Sequence, residues 1–316
     1  MAKQTIYVQL DKAIDALLAG DASQPRSDLG QLVFIARGLT HLPHPAFRVG
    51  LRAQIRRTLM NTTPVKLRPD FHSVTPYLIV PDAERFITFL KTVFGAEERL
   101  RVNREDGSVM HAEMKLGDSI LELSNGGVEY PARPSALHTY VEDVDAVYRL
   151  ALEKGARTVS EPADQEYGER GGGFIDAEGN WWYVATASGP HHVMPGLRSV
   201  NVYLNPSGAP QFIDFVSNAF GAETVEVYNN DDGSVAHAKV RLGDTVLELS
   251  DPHGIYQPMP AGLHYYVDDV DAAYEQALEA GAESISAPGN APYGDRTASV
   301  RDPFGNSWFL ATYLGA

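Results

Sequence analysis

Residues 73–186 and 199–312 are one segment written twice, in constant register and without insertion or deletion. Ser73-Val74 answers Ser199-Val200, and Phe94-Gly95-Ala96-Glu97 answers Phe220-Gly221-Ala222-Glu223. Leu121-Glu122-Leu123-Ser124 answers Leu247-Glu248-Leu249-Ser250, and Gly179-Asn180 answers Gly305-Asn306. An unbroken register over more than a hundred residues means two copies of one fold, each long enough to bury a core. Polar residues held in both copies, or in only one, then carry the functional information.

Composition removes several classes of chemistry. There is no cysteine, so disulfides, thiolate nucleophiles and Cys-ligated zinc are excluded. No serine sits in a G-x-S-x-G elbow. The net charge of −15 argues against nucleic acid as a partner, because phosphates are held mainly by Lys and Arg. The N-terminus reaches Asp11 before an apolar run forms, and no stretch approaches the roughly 18 apolar residues of a membrane span, the pattern expected of a cytoplasmic protein with no membrane partner.

Residues 1–62 lie outside the repeat and read as a helical segment. Ile6, Leu10, Ile14 and Leu17 share one helical face, a second helix is expected over 27–38, and a third over 46–60. Arg48, Arg52 and Arg56 line a second face of that third helix. Asn61–His72 and Ser188–Leu197, both carrying prolines, read as linkers, which leaves domains at 70–187 and 198–316. Within each copy the signals run strand, helix, three strands, and then repeat. Asp82 and Asp143 are expected helix caps, and Gly95 and Gly155 expected stops. The fold class is α+β, four βαβββ units in two tandem domains.

Paired βαβββ units of this length resemble the vicinal oxygen chelate superfamily, which includes glyoxalase I, bleomycin-resistance proteins and extradiol dioxygenases. Val267-Asp268-Asp269-Val270-Asp271 after a His-bearing strand, Tyr293-Gly294-Asp295-Arg296, Arg301-Asp302-Pro303-Phe304-Gly305-Asn306, and His-Ala at 111–112 and 237–238 carry the resemblance, which covers residues 73–312. It implies that each domain curls its sheet into a cup. A metal in such a cup takes one ligand from the first and one from the last strand of each unit. Carried onto this chain, those positions are Thr75, Glu122, His138 and Tyr183 in the first copy, and Asn201, Glu248, His264 and Phe309 in the second. Only Glu and His match in each, fewer than the three ligands a catalytic site commonly supplies, so the resemblance implies a degenerate metal site.

Strand alternation places the remaining candidates. Met110, Ala112 and Met114 share the face expected to meet helices, so His111 and Glu113 look into the cup, as Glu122 does from the next strand. A tight turn at Gly117-Asp118 sets Glu113 across from Glu122, a carboxylate pair that calls for a proton or a cation between them. With His138 nearby, Glu113, Glu122 and His138 form a candidate divalent-metal set in the first domain. The second copy has Lys239 facing Glu248, an opposite-charge pair. His237, His264, Tyr140 and Tyr266 are further cup candidates. Trp181 has no counterpart in the second copy and is a pocket candidate. Arg170 and Arg296 follow Tyr-Gly in a loop, where a guanidinium either holds an anionic group or pairs with Glu169 or Asp295.

These residues point first to binding of a small aromatic or anionic molecule in one or both cups. Two alternatives are a metal-dependent lyase, isomerase or dioxygenase active in the first domain, and a ligand-sensing regulatory protein. The short, proline-bearing linker between copies predicts an intrachain pseudo-dimer rather than two independent beads, and a homodimer of the whole chain is compatible with it.

Overall fold

Each helix buries one apolar stripe and the interior strands are buried along almost their whole length, and from these patterns the architecture assembles. The computed structural model describes residues 65–189 and 191–315. The three helices expected before residue 62, and the arginine face of the third, lie outside the described residues. Residues 64–316 form one compact unit.

The first copy runs β1 (Val74–Val80), α1 (Ala83–Phe94), β2 (Glu97–Asn103), β3 (Val109–Leu116), β4 (Ser119–Asn125), β5 (Ala136–Tyr140), α2 (Val144–Glu153), β6 (Arg157–Gln165), β7 (Glu169–Ile175) and β8 (Trp181–Ala187). The second runs β9 (Val200–Leu204), α3 (Ala209–Phe220), β10 (Glu223–Asn229), β11 (Val235–Leu242), β12 (Thr245–Leu249), β13 (Gly262–Tyr266), α4 (Val270–Glu279), β14 (Glu283–Asn290), β15 (Asp295–Arg301) and β16 (Ser307–Tyr313). The helix boundaries have the expected chemistry. Asp82 accepts a hydrogen bond from the Arg85 amide at 3.0 Å, Asp143 accepts from Ala146, and Gly95 ends α1 at φ +66°.

The sheets depart from the expectation that each copy builds its own cup. One eight-stranded sheet runs β14-β15-β16-β13-β1-β4-β3-β2, and the other β10-β11-β12-β9-β5-β8-β7-β6. Each therefore joins the first βαβββ unit of one copy to the second unit of the other. The seams are antiparallel: Thr75 lies opposite His264 across β1–β13, and His138 opposite Asn201 across β5–β9. The apolar core divides the other way. Leu78, Phe86, Met114, Leu121, Leu137, Phe174 and Trp182, all from the first copy, pack in one cluster, and their counterparts in the second copy form another. Each copy is thus united by hydrophobic burial, while hydrogen-bonded pairing unites half of one copy with half of the other.

A reciprocal clasp closes the seams. Asp244 Oδ1 accepts from the Ser73 amide at 2.7 Å, and Asp118 Oδ1 accepts from the Ser199 amide at 2.8 Å. The Val74 and Val200 amides donate to Thr245 Oγ1 and Ser119 Oγ, each at 3.0 Å. Gly117 and Gly243 sit in the two turns at φ +59°, and a Cβ on either would lie 2.1 Å from a clasp serine Oγ. Only glycine meets both demands. The pseudo-dimer expected from the short linker is the arrangement found. The segments expected as linkers are packed in place: Val65, Leu67 and Phe71 lie against Tyr266, and Val193, Met194 and Leu197 against Tyr140.

Candidate functional site

The first cup is formed by β1–β4 with β13–β16. Alternation works as expected: Leu121 and Leu123 of β4 face the core, and Glu122, 2% exposed, faces the cup. Glu113 stands directly opposite Glu122. His138 does not join them. It lies in the other sheet, and Glu122 Oε2 is instead 2.6 Å from Nδ1 of His264. The expected grouping of Glu113, Glu122 and His138 fails because strand pairing crosses between copies. The four inherited ligand positions of this cup are Thr75, Glu122, His264 and Phe309.

The cation that the carboxylate pair calls for comes from the protein. Arg68, in the segment preceding β1, donates from Nη1 to Glu113 Oε1 at 2.9 Å, and its guanidinium lies 4.5 Å from the Phe71 ring. His111 Nε2 is 3.4 Å from Glu113 Oε1 and 3.8 Å from Glu122 Oε1, and the Tyr77 hydroxyl is 3.3 Å from its Nδ1. Burial pushes the Glu113 carboxyl up, but the His111 hydrogen bond and the Arg68 charge outweigh it, so Glu113 is held below the usual carboxylate range.

Ligand atoms of His111, Glu113 and Glu122 lie within 4.8 Å of one another, a donor set of the right type for a divalent ion. Arg68 stands on that set. A divalent ion about 4 Å from a guanidinium is repelled by about 8 kcal/mol at an effective dielectric constant near 20. Glu122 and His264, the two inherited ligands, are bonded to each other. The residues of the first cup as they stand do not fit a metal.

The second cup is formed by β9–β12 with β5–β8. Its inherited positions are Asn201, Glu248, His138 and Tyr183, and again the only two matching residues bond to each other, His138 Nδ1 to Glu248 Oε2 at 2.7 Å. Burial opposes charge on both. Each nevertheless holds the other ionised, with His138 raised and Glu248 lowered. Lys239 stands opposite Glu248 in the ladder, as expected, but its ammonium pairs with Glu226 Oε1 at 2.8 Å, on the neighbouring strand β10. With that ammonium beside two bonded ligands, the second cup also does not fit a metal.

This cup holds a cavity of about 840 Å³, within the roughly 300–1,000 Å³ of small-molecule sites. Tyr140, Tyr167, Tyr183, Tyr203, Tyr228 and Tyr256 wall it, with His138, His237, Lys239 and Glu248 among the polar groups. Burial pushes the Tyr203 hydroxyl up to about 12 and lowers His237, so the first is a protonated donor and the second a neutral imidazole near pH 7. Tyr140 donates to Glu169. Trp181 packs outside this lining, its ring centroid 5.6 Å from that of Tyr256.

Other expected residues fall away from the cups. Arg170 and Arg296 form bidentate pairs with Asp145 and Asp271, in the first turns of α2 and α4, rather than with Glu169, Asp295 or a ligand. Their role is to tie the start of β7 and of β15 to the neighbouring helix, not, as expected, to serve a loop. Asp302-Pro303-Phe304-Gly305-Asn306 is a structural turn. Asp302 accepts from the Phe304 and Asn306 amides, from Asn306 Nδ2 and from Trp308 Nε1, and Asp176 does the same for Asn180 and Trp182. Residues without an expectation matter more. Gly171-Gly172-Gly173 on β7 replaces Thr297-Ala298-Ser299 on β15, and Gly171 and Gly172 line the cavity. In the first cup Ser299 instead meets the Tyr130 hydroxyl at 3.3 Å. That difference between copies was legible in the sequence as a run of glycines within a strand.

The family model described as Glyoxalase/Bleomycin resistance protein/Dioxygenase superfamily matches residues 71–184 and 189–310. Uncharacterized proteins of Mycobacterium bovis and Mycobacterium tuberculosis are 33% identical over 121 residues, 35% of this chain and 80% and 71% of theirs. Glyoxalase I from Zea mays is 19% identical, with 76% of this chain and 92% of that one covered at a TM-score of 0.58. A putative dioxygenase from Bacillus subtilis is 13% identical, covering 77% and 85%, at 0.52. At these identities the two structures share the fold alone.

Proposed function

This chain belongs to the glyoxalase/bleomycin resistance protein/dioxygenase superfamily, and from that premise we propose that it binds a small aromatic molecule in the second cup without a metal. The observation that carries the reading is the tyrosine-walled cavity of about 840 Å³, whose lining includes Gly171 where the first cup has Thr297. Tyrosine rings offer flat apolar faces, and their hydroxyls, kept protonated by burial, offer donors. Neutral His237 and the Lys239 ammonium add donors on one side. A ring bearing an acceptor, such as a carboxylate, carbonyl or phenolic oxygen, matches that lining. The His138–Glu248 pair is charge-balanced and forms a rigid polar floor rather than an open coordination site. Among the described residues, the candidate ligands of both cups already bond to protein partners, which counts against a lyase, isomerase or dioxygenase reaction routed through a metal.

Titration of the full chain with a panel of aromatic carboxylates and phenols, followed by Trp181 fluorescence and calorimetry, tests the proposal. A Cβ on Gly171 meets only ordinary contacts, the nearest at 3.5 Å, so Gly171→Thr restores the first cup's residue without strain in the wall. Ligands that bind the wild type should lose about tenfold or more in affinity for Gly171→Thr, about 1.4 kcal/mol, with folding unchanged. Equal binding to both proteins would place the ligand elsewhere.

A further inference from the structure

The two cups share a fold and a buried Glu–His pair, yet they differ at two positions that touch one another. Where the first has Arg68 and Glu113, the second has Met194 and Lys239. Arg68 and Glu113 are bonded at 2.9 Å. Met194 and Lys239 both line the second cavity. The exchange preserves one positive group beside the buried carboxylate of each cup while moving it from the segment before the first strand to the third strand. A cup with Glu113 and no Arg68 would hold two carboxylates face to face.

We infer that Arg68 is a built-in cation that stands in the first cup in place of a metal ion, and that its removal alone converts this cup into a divalent-metal site. The donors are already gathered: His111, Glu113 and Glu122 present ligand atoms within 4.8 Å, and His264 lies on the far oxygen of Glu122. Glu113 and Glu122 are 4% and 2% exposed, so water does not neutralise the pair once the guanidinium is gone. The carboxylates are also not free to separate, because their strands are locked in register. Near Arg68, Asp295 Oδ2 is buried without a hydrogen-bond partner, and the Tyr266 hydroxyl faces the guanidinium. The inference concerns the first cup and is independent of ligand binding in the second.

The test is Co²⁺ binding to the full chain, read by calorimetry and by the visible absorption of the ion. Wild type should bind no Co²⁺ up to about millimolar concentration, whereas Arg68→Met should bind one ion per chain at least about tenfold more tightly. Glu122→Gln in the Arg68→Met background should abolish binding, which locates the ion. Arg68→Met with Glu113→Lys, which copies the second cup, should bind none. If Arg68→Met does not fold, Arg68→Gln, which keeps a donor near Glu113, takes its place with the same expected result. Wild-type binding as tight as that of the variant would overturn the inference, as would a folded Arg68 variant that binds no Co²⁺.

Discussion

Single methylene groups separate satisfied from unsatisfied polar atoms in this protein. In the second cup Tyr140 donates to Glu169. The equivalent pair in the first cup is Tyr266 and Asp295, where the shorter side chain leaves Asp295 Oδ2 without a partner and the Tyr266 hydroxyl faces the Arg68 guanidinium instead. Both residues are at most 2% exposed, and burial raises the Asp295 carboxyl above its ordinary value. An unmet buried group forfeits the benefit of its bond. Asp295→Glu should therefore stabilise the protein by about 1 kcal/mol. Urea unfolding measures this, and an unchanged or lower midpoint would show that the first cup has already adapted to the shorter residue.

At the scale of elements, the clasp between the turn after β3 and the strand entry of the other copy is two-fold in design and one-sided in chemistry. Arg198 reaches Asp244 Oδ2 at 3.2 Å and Asp118 Oδ2 at 3.5 Å, while at the equivalent position His72 Nδ1 faces Asp244 Oδ2 at 2.8 Å and its Nε2 faces the Asp118 carbonyl oxygen at 2.9 Å. The Asp244 bond raises His72 above its ordinary value, against the opposing effect of burial. Burial pushes Asp244 up, but His72 and the Ser73 amide hold it well below the usual carboxylate range. The raised histidine contributes stability that is full below its unfolded pKa of about 6.5 and fades as pH rises through its folded value. The lowered aspartate contributes above about 3.9 and loses its contribution only as pH falls through its folded value. The melting temperature should therefore fall from about pH 6 to pH 8 in wild type, and fall less in His72→Gln. Parallel profiles for the two proteins would mean that this side of the clasp carries no charge-dependent stability.

For the whole molecule, the crossing of sheets between copies makes neither copy self-sufficient. Residues 64–190 alone retain one apolar core, but β1 loses β13 and β5 loses β9. Two unpaired interior edges are a strong template for a second chain. The isolated first copy should therefore form a homodimer with two identical cups, in which Glu122 meets His138 of the other molecule. Analytical ultracentrifugation distinguishes this from a folded monomer, which would show that each copy can close its own cup. Among the described residues, no helix is long and apolar enough to cross a membrane.

The amino-acid sequence by itself determined the repeat, the order of strands and helices, and the caps at Asp82 and Asp143. These follow from local rules: side-chain period, capping chemistry and turn geometry, which act over a few residues. The opposition of Glu113 and Glu122 was also legible, because a tight turn fixes the register of a hairpin. Which histidine meets which glutamate was not. The two copies offer equivalent strands, so local pairing rules fit a partner from either copy equally well. Only the packing of the whole chain, with each copy's helices buried between two half-sheets, sends Glu122 to His264 and His138 to Glu248. The role of Arg68 was hidden for the same reason. It lies 45 residues from Glu113 in a segment that reads as linker, and only the tertiary structure carries its charge into the cup.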